Sequence, residues 1–324
     1  MKALMCREFG DLSVLKMEDV AVPEPGPGQV KIAMRACGVN FADSLVTAGK
    51  YQSQPSLPFT PGFEVAGDVI ALGEGVTSFS LGDKVMGMAG SGGYAEELVA
   101  DERQLSLLPE TMDYVSAASF AVTYGTSYLA IVHRARLQAG EVLLVHGAAG
   151  GVGLTAVEIG KQLGATIIAT AGGPDKLKIA QAAGAEHLID YLTEDIREKV
   201  KEYTDGRGAD VIYDPIGGDV FEASLRCVNF EGRILVIGFA GGTIQQIPSN
   251  HVMVKNVDII GFNRGPYEEK HPDVTREAYK TLMKWLSEGK IQPFVSKTYP
   301  LRDAVAAIES VTNRSSTGKV VVTN

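Results

Sequence analysis

The sequence predicts an α/β protein, a doubly wound parallel sheet joined to a second, strand-rich domain. Three observations predict it. Residues 1 to about 118 carry short alternating apolar runs bounded by Gly and Pro turns. From about residue 140, apolar runs alternate with amphipathic helical stretches, as expected of a parallel sheet covered on both faces. A glycine loop stands where the first of these runs meets the first of these helices.

Taken in order, "QVKIAMRACGV", "EVAGDVIALG", "DKVMGMA" and "YAEELVA" read as strands. Helical periodicity takes over at "SAASFAVTYGTSYLAIVHRA" and leads into "EVLLVHGAAGGVGLTAVEIGKQLGATIIATA", a strand, the glycine loop, a helix and a second strand. "PDKLKIAQAAG", "EDIREKVKEYT" and "VFEASLRCV" read as helices, separated by the strands "HLIDY" and "ADVIYDPIG". "GRILVIGFA" and "VDIIGFN" read as further strands, the latter apolar on both faces and expected at the sheet edge, where it needs covering. A long helix follows from about Glu268 to Gly289, then "PFVSKTYPL", the helix "RDAVAAIESV" and the strand "GKVVVT".

The 324 residues suffice for two domains, and 45% hydrophobic with 21% charged residues is ordinary for a soluble globular chain. A formal net charge of −9 argues against nucleic acid as a partner, because phosphate binding needs clustered Lys and Arg. The three cysteines, Cys6, Cys37 and Cys227, suit a reducing compartment better than a disulfide framework. The segment "MKALMCREFG" has no apolar leader core, and no apolar run approaches the roughly 20 residues that span a bilayer. A cytoplasmic protein without a membrane partner is expected.

The glycine loop predicts a dinucleotide site. Ala149, Gly150, Gly151, Val152 and Gly153 open the helix, whose N-terminal N–H groups and dipole favour phosphate. Gly150 allows the backbone to approach a pyrophosphate, and Gly153 allows close helix–strand packing. Ala148 stands where the usual G-x-G-x-x-G has its first glycine. An NAD enzyme places an acid at the end of the second strand, yet here that strand ends "IIATAGG". Gly172 and Gly173 leave room for a 2′-phosphate, Lys176 supplies positive charge, and Tyr191 can lie over the same pocket. NADPH is the expected cofactor; a solvated first-turn lysine is the plain alternative for Lys176.

The glycine loop, "GVNFADSLVTAGKY", "LPFTPGFEVAG" and the closing "GKVVV" together resemble the medium-chain dehydrogenase/reductase superfamily, and within it the zinc-free quinone oxidoreductase (zeta-crystallin-like) branch. The resemblance covers nearly the whole chain. It implies a discontinuous GroES-like β-barrel catalytic domain, residues 1–120 and 264–324, and a Rossmann domain, residues 121–263. A homodimer pairing the last Rossmann strands is implied as well. Zinc-dependent members place a ligating cysteine where this chain has Asn40 and a histidine where it has Phe63. Cys37 and Glu64 remain, but zinc needs three or four ligands, so no metal is expected.

Without a Lewis acid, the favoured acceptors are those whose conjugation spreads the incoming charge, quinones and activated alkenes. The resemblance assigns catalysis to Tyr51, as hydrogen-bond or proton donor, and to Asn40, its amide offered to a substrate oxygen or the nicotinamide ribose and oriented by Asp43. It sets Thr126, Gly238 and Phe239 beside the nicotinamide. Turn capping for Asn40 and a half-buried loop aromatic for Tyr51 are the plain alternatives. Leu45 stands where many quinone reductases carry a second tyrosine. The expected activity is NADPH-dependent hydride transfer to a quinone in the cleft between the domains. The alternatives are enoyl-thioester or enone reduction and, further off, cofactor binding without turnover.

Overall fold

The computed structural model describes residues 1–324, and its N-terminal strands organise around one long strand. Two short strands come first, β1 (Lys2–Met5) and β2 (Lys16–Asp19), which pair antiparallel. The long strand is β3 (Gln29–Val39). One of its edges pairs with β4 (Glu64–Leu72), followed by β5 (Lys84–Met88) and β7 (Leu105–Leu107). Its other edge is shared. β6 (Glu97–Asp101) takes residues 29–33, and β15 (Lys319–Thr323) takes residues 36–39, with β14 (Val295–Pro300) parallel to β15. Ile32, Met34, Val65, Val85, Val320 and Val322 fill the core. Three helices attend this unit: α1 (Phe41–Thr47), α2 (Tyr114–Ala117) and α11 (Ala304–Thr312).

The second unit holds six parallel strands in the order β10-β9-β8-β11-β12-β13. They are β8 (Val142–Val145), β9 (Thr166–Ala171), β10 (His187–Asp190), β11 (Ala209–Asp214), β12 (Val228–Val236) and β13 (Asp258–Gly261). Helices α4 (Gly151–Gln162), α5 (Pro174–Ala183), α6 (Ile196–Tyr203), α7 (Asp219–Cys227) and α8 (Ser249–Lys255) connect them, with α3 (Ala121–Tyr128) leading in. β8 and β11 are buried along their whole length, which explains their unbroken apolar runs. β13 lies at the edge, as its sequence predicts.

Two expectations are corrected. The units are residues 1–122 with 293–324, and 123–292, so the return boundary falls at 293 and not at 264. Residues 264–292 join the parallel-sheet unit because Trp285 packs edge-on against Tyr128 at 5.6 Å, and the Gln292 N–H donates to Glu158 at 3.0 Å. The single helix expected from Glu268 to Gly289 is two, α9 (Arg264–Lys270) and α10 (Pro272–Ser287). Pro272 opens the second: it has no N–H to give an earlier turn, and its ring is preset for a first helical position. No helix is long and apolar enough to cross a membrane.

Candidate active site

The glycine loop follows β8 directly. Gly147 takes φ +58°, a conformation open to glycine, and the Gly150 N–H closes a turn on its carbonyl at 2.9 Å. α4 then begins at Gly151, and its first N–H groups have no acceptor within the helix. A Cβ on Gly153 would stand 2.2 Å from the Gly147 oxygen, so only glycine lets the helix approach the loop this closely. Ala149 is buried in the turn. Residues 149–153 thus form a glycine-rich turn running into the first turn of α4, whose first N–H groups, from Gly151, lack helical acceptors, which fits a pyrophosphate.

Behind this turn lie residues that the sequence reading missed. Ser127, on α3, donates to the Val152 carbonyl at 2.8 Å and lies within 3.0 Å of Thr155 and Tyr213 hydroxyls. This ties α3, and with it the half-buried Thr126, to the first turn of α4. His146 sits between Thr170 (3.0 Å) and Ser224 (2.9 Å). Ser224 donates its proton to the Val220 carbonyl, so it accepts from His146 Nε2, and Nδ1 accepts from Thr170. Burial lowers the His146 pKa, keeping the ring neutral beside the loop.

The turn expected to take a 2′-phosphate follows β9. A Cβ on Gly172 would stand 2.8 Å from the Tyr191 hydroxyl, so Tyr191 does lie over this turn. At Gly173, φ is +89° and a side chain would meet nothing, which is open space. Lys176 is half-buried in the first turn of α5. Asp190 was not foreseen: its Oδ1 accepts from the Gly173 N–H (3.0 Å) and the Leu192 N–H (3.1 Å), so this acid holds the turn. Past β12, Gly238 lies against Pro215, and Phe239, 36% exposed, lies against Gly217.

In the strand-rich unit, Asn40 caps α1, and its amide is committed inward. Nδ2 donates to Gly38 O and Glu64 Oε2, both at 3.1 Å, while Oδ1 accepts from Lys319 Nζ at 2.8 Å. Lys319 also donates to Glu64 Oε2 (2.8 Å) and Val39 O (2.9 Å), and the Val122 N–H completes Glu64 at 2.8 Å. The pair is buried, with side chains 6% and 0% exposed. Asp43 accepts at Oδ2 from the Asn40 N–H and the Tyr94 hydroxyl, both at 2.8 Å. It therefore orients the Asn40 backbone, not its amide, which corrects the expected arrangement. Burial raises the Asp43 pKa to about 6. Tyr51 is half-buried in the bend after α1.

Comparison with known proteins now decides the family. A model described as "Zinc-binding dehydrogenase" matches residues 151–288, and one described as "Alcohol dehydrogenase GroES-like domain" matches residues 26–110. A relative from Nematostella vectensis, "Quinone oxidoreductase-like protein 2 homolog", is 40% identical over 99% of this chain and 88% of its own. This chain belongs to the quinone oxidoreductase branch of the medium-chain dehydrogenase/reductase family. Escherichia coli quinone oxidoreductase, solved in complex with NADPH, is 28% identical with a TM-score of 0.92 over all of both chains. CurK enoyl reductase is 29% identical with a TM-score of 0.88, over 99% of this chain and 98% of that one.

As an oxidoreductase of this branch, the chain has a GroES-like domain and a Rossmann domain in its two units. Its family includes zinc enzymes, and the residues here do not fit a zinc ion. Glu64 and the Asn40 oxygen already hold the Lys319 ammonium, and burial raises the Cys37 thiol well above its ordinary pKa. Phe63, half-buried, brings no ligand. The signal that could have found the substitute cation was the lysine of "GKVVV", quoted for the resemblance and given no role.

Proposed function

We propose that this chain is an NADPH-dependent reductase that works without zinc and whose acceptor is a quinone. The observation that carries the cofactor part of the reading is the glycine turn at Gly147–Gly153, packed so closely that a Cβ on Gly153 would stand 2.2 Å from the Gly147 oxygen. Gly150, Gly151, Val152 and Gly153 hold the pyrophosphate, with Ala149 in the turn. Gly172, Gly173, Lys176 and Tyr191 hold the 2′-phosphate, and Thr126, Gly238 and Phe239 border the nicotinamide. The E. coli relative's NADPH complex supports this assignment. Bound there, NADPH supplies a hydride.

The protein's share is to orient the acceptor and supply a proton. Tyr51 donates its phenol hydrogen to the acceptor oxygen as charge develops on it. Asn40 keeps the start of α1 in place through its bonds to Lys319 and Glu64. A quinone needs no more than such hydrogen bonds, because conjugation spreads the added charge. The likeness to CurK enoyl reductase favours one second reading, reduction of a C=C bond conjugated to a thioester. The three free, buried cysteines support a cytoplasmic setting, and the edge strand β13 supports a homodimer.

Turnover decides between these readings. NADPH oxidation is followed by absorbance with a simple naphthoquinone and, separately, with a crotonyl thioester. The expected result is quinone turnover that prefers NADPH to NADH, survives a zinc chelator and slows at least about tenfold in Tyr51→Phe. Turnover with the thioester alone moves the assignment to alkene reduction. Chelator-sensitive turnover removes the zinc-free reading.

A further inference from the structure

The parallel-sheet unit has a cavity of about 690 Å³ away from the glycine loop. β8, β11 and β12 run parallel, and the glycine loop leaves the C-terminal end of β8. The cavity is lined from the opposite edge, by Arg207 just before β11, by the first residues of β12, and by Arg197 and Lys201 of α6. Six residues of β11 span about 20 Å, so the two sites are distinct.

Its lining is cationic in a chain of net charge −9. Arg197, Lys201, Arg207, Arg226 and Lys255 converge there, and no carboxylate lines it. Three of these cations pair with carboxylates: Arg226 with Glu222 (2.7 Å), Arg207 with Asp210 (3.3 Å) and Arg197 with Glu198 (3.9 Å). Asp210 is shared, since it also accepts from Asn229 and the Val142 N–H. Lys201 enters none of these pairs, and Arg197 Nε is buried without a hydrogen-bond partner.

Helix ends account for part of this charge. Lys201 and Arg226 lie in the last turns of α6 and α7, where cations are favoured, and Lys255 donates to the carbonyls of Leu225, Arg226 and Val228. Burial lowers the Lys255 pKa, and the charges of Lys201 and Arg197 lower it further. No helix end explains Arg197 or Arg207. At the rim, Phe230 is 59% exposed.

We propose that this cavity binds a phosphorylated organic anion of nucleotide size, its phosphates held by Arg197, Lys201 and Arg207 and its ring resting on Phe230. The volume suits such a ligand, and guanidinium forks match phosphate oxygens in pairs. Neither the glycine loop nor the Tyr51 chemistry requires this site.

The test is calorimetric titration of the full chain with ATP after saturation with NADPH, which fills the glycine loop. One ATP is expected to bind per chain. Arg197→Gln/Lys201→Gln is expected to weaken it at least tenfold while leaving NADPH affinity unchanged, and Phe230→Ala to weaken it severalfold. An ATP signal that vanishes with NADPH present, or that the double variant leaves unchanged, overturns the proposal. The NADPH titration that precedes it tests the cofactor reading separately. A chain that ignores NADPH sinks that reading, while the double variant still judges this cavity.

Discussion

Lys319 and Glu64 form a buried ion pair whose strength depends on both partners being present. Removing one leaves a bare charge in the core, at a cost of about 3–5 kcal/mol, whereas removing both can be nearly neutral. Lys319→Met is therefore expected to lose that much stability in denaturant unfolding, and Lys319→Met/Glu64→Gln to recover most of it. A double variant no more stable than Lys319→Met contradicts the pairing. Asp43 adds a pH dependence of definite sign. Its pKa rises from an ordinary 3.8 to about 6 on folding, so its contribution is complete below the unfolded value and disappears as pH climbs through 6. Between pH 5 and 7.5 it removes roughly 1–1.5 kcal/mol. Asp43→Asn, compared with the native chain over that range, should lose less stability by that amount. None of this was legible from spacing. Asn40, Asp43, Glu64 and Lys319 were all in view in the sequence, but which amide hydrogen meets which oxygen is set by strands far apart in the chain.

Elements were more legible than side chains, for a reason visible in the βαβ unit at residues 142–171. Its strands are apolar on both faces, its helix is punctuated by glycines, and each signal is local. Gly153 shows how sharp such a local signal is. Gly153→Ala must displace backbone at Gly147 and Ala148, and NADPH affinity is expected to fall at least about tenfold with stability lower by about 1–3 kcal/mol. Fluorescence titration and unfolding read the two effects apart; unchanged affinity would falsify the role given to the glycine turn. The break at Pro272 and the fate of residues 264–292 were less legible. A proline near the start of an amphipathic run reads as a break or as a first turn, and nothing in the sequence marks that Trp285 packs on Tyr128 or that the Gln292 N–H meets Glu158.

At the level of the whole molecule, the edge strand β13 raises the question of assembly. Ile259 and Ile260 are half-buried there, and Met253 and Val254 in the preceding helix are 71% and 70% exposed. Open backbone beside apolar surface invites pairing with a second copy. A native dimer and a monomeric Ile260→Lys variant are expected in light scattering at micromolar concentration; a native monomer rules the assembly out. The Lys319–Glu64 pair also bears on how the chain is made. The two residues are 255 positions apart, and the whole of residues 123–292 emerges between them. Domains generally fold as units during synthesis. The contiguous nucleotide-binding unit can therefore finish on the ribosome while Glu64 is still without its cation and β3 still lacks β15. The half of the protein that is begun first is completed last.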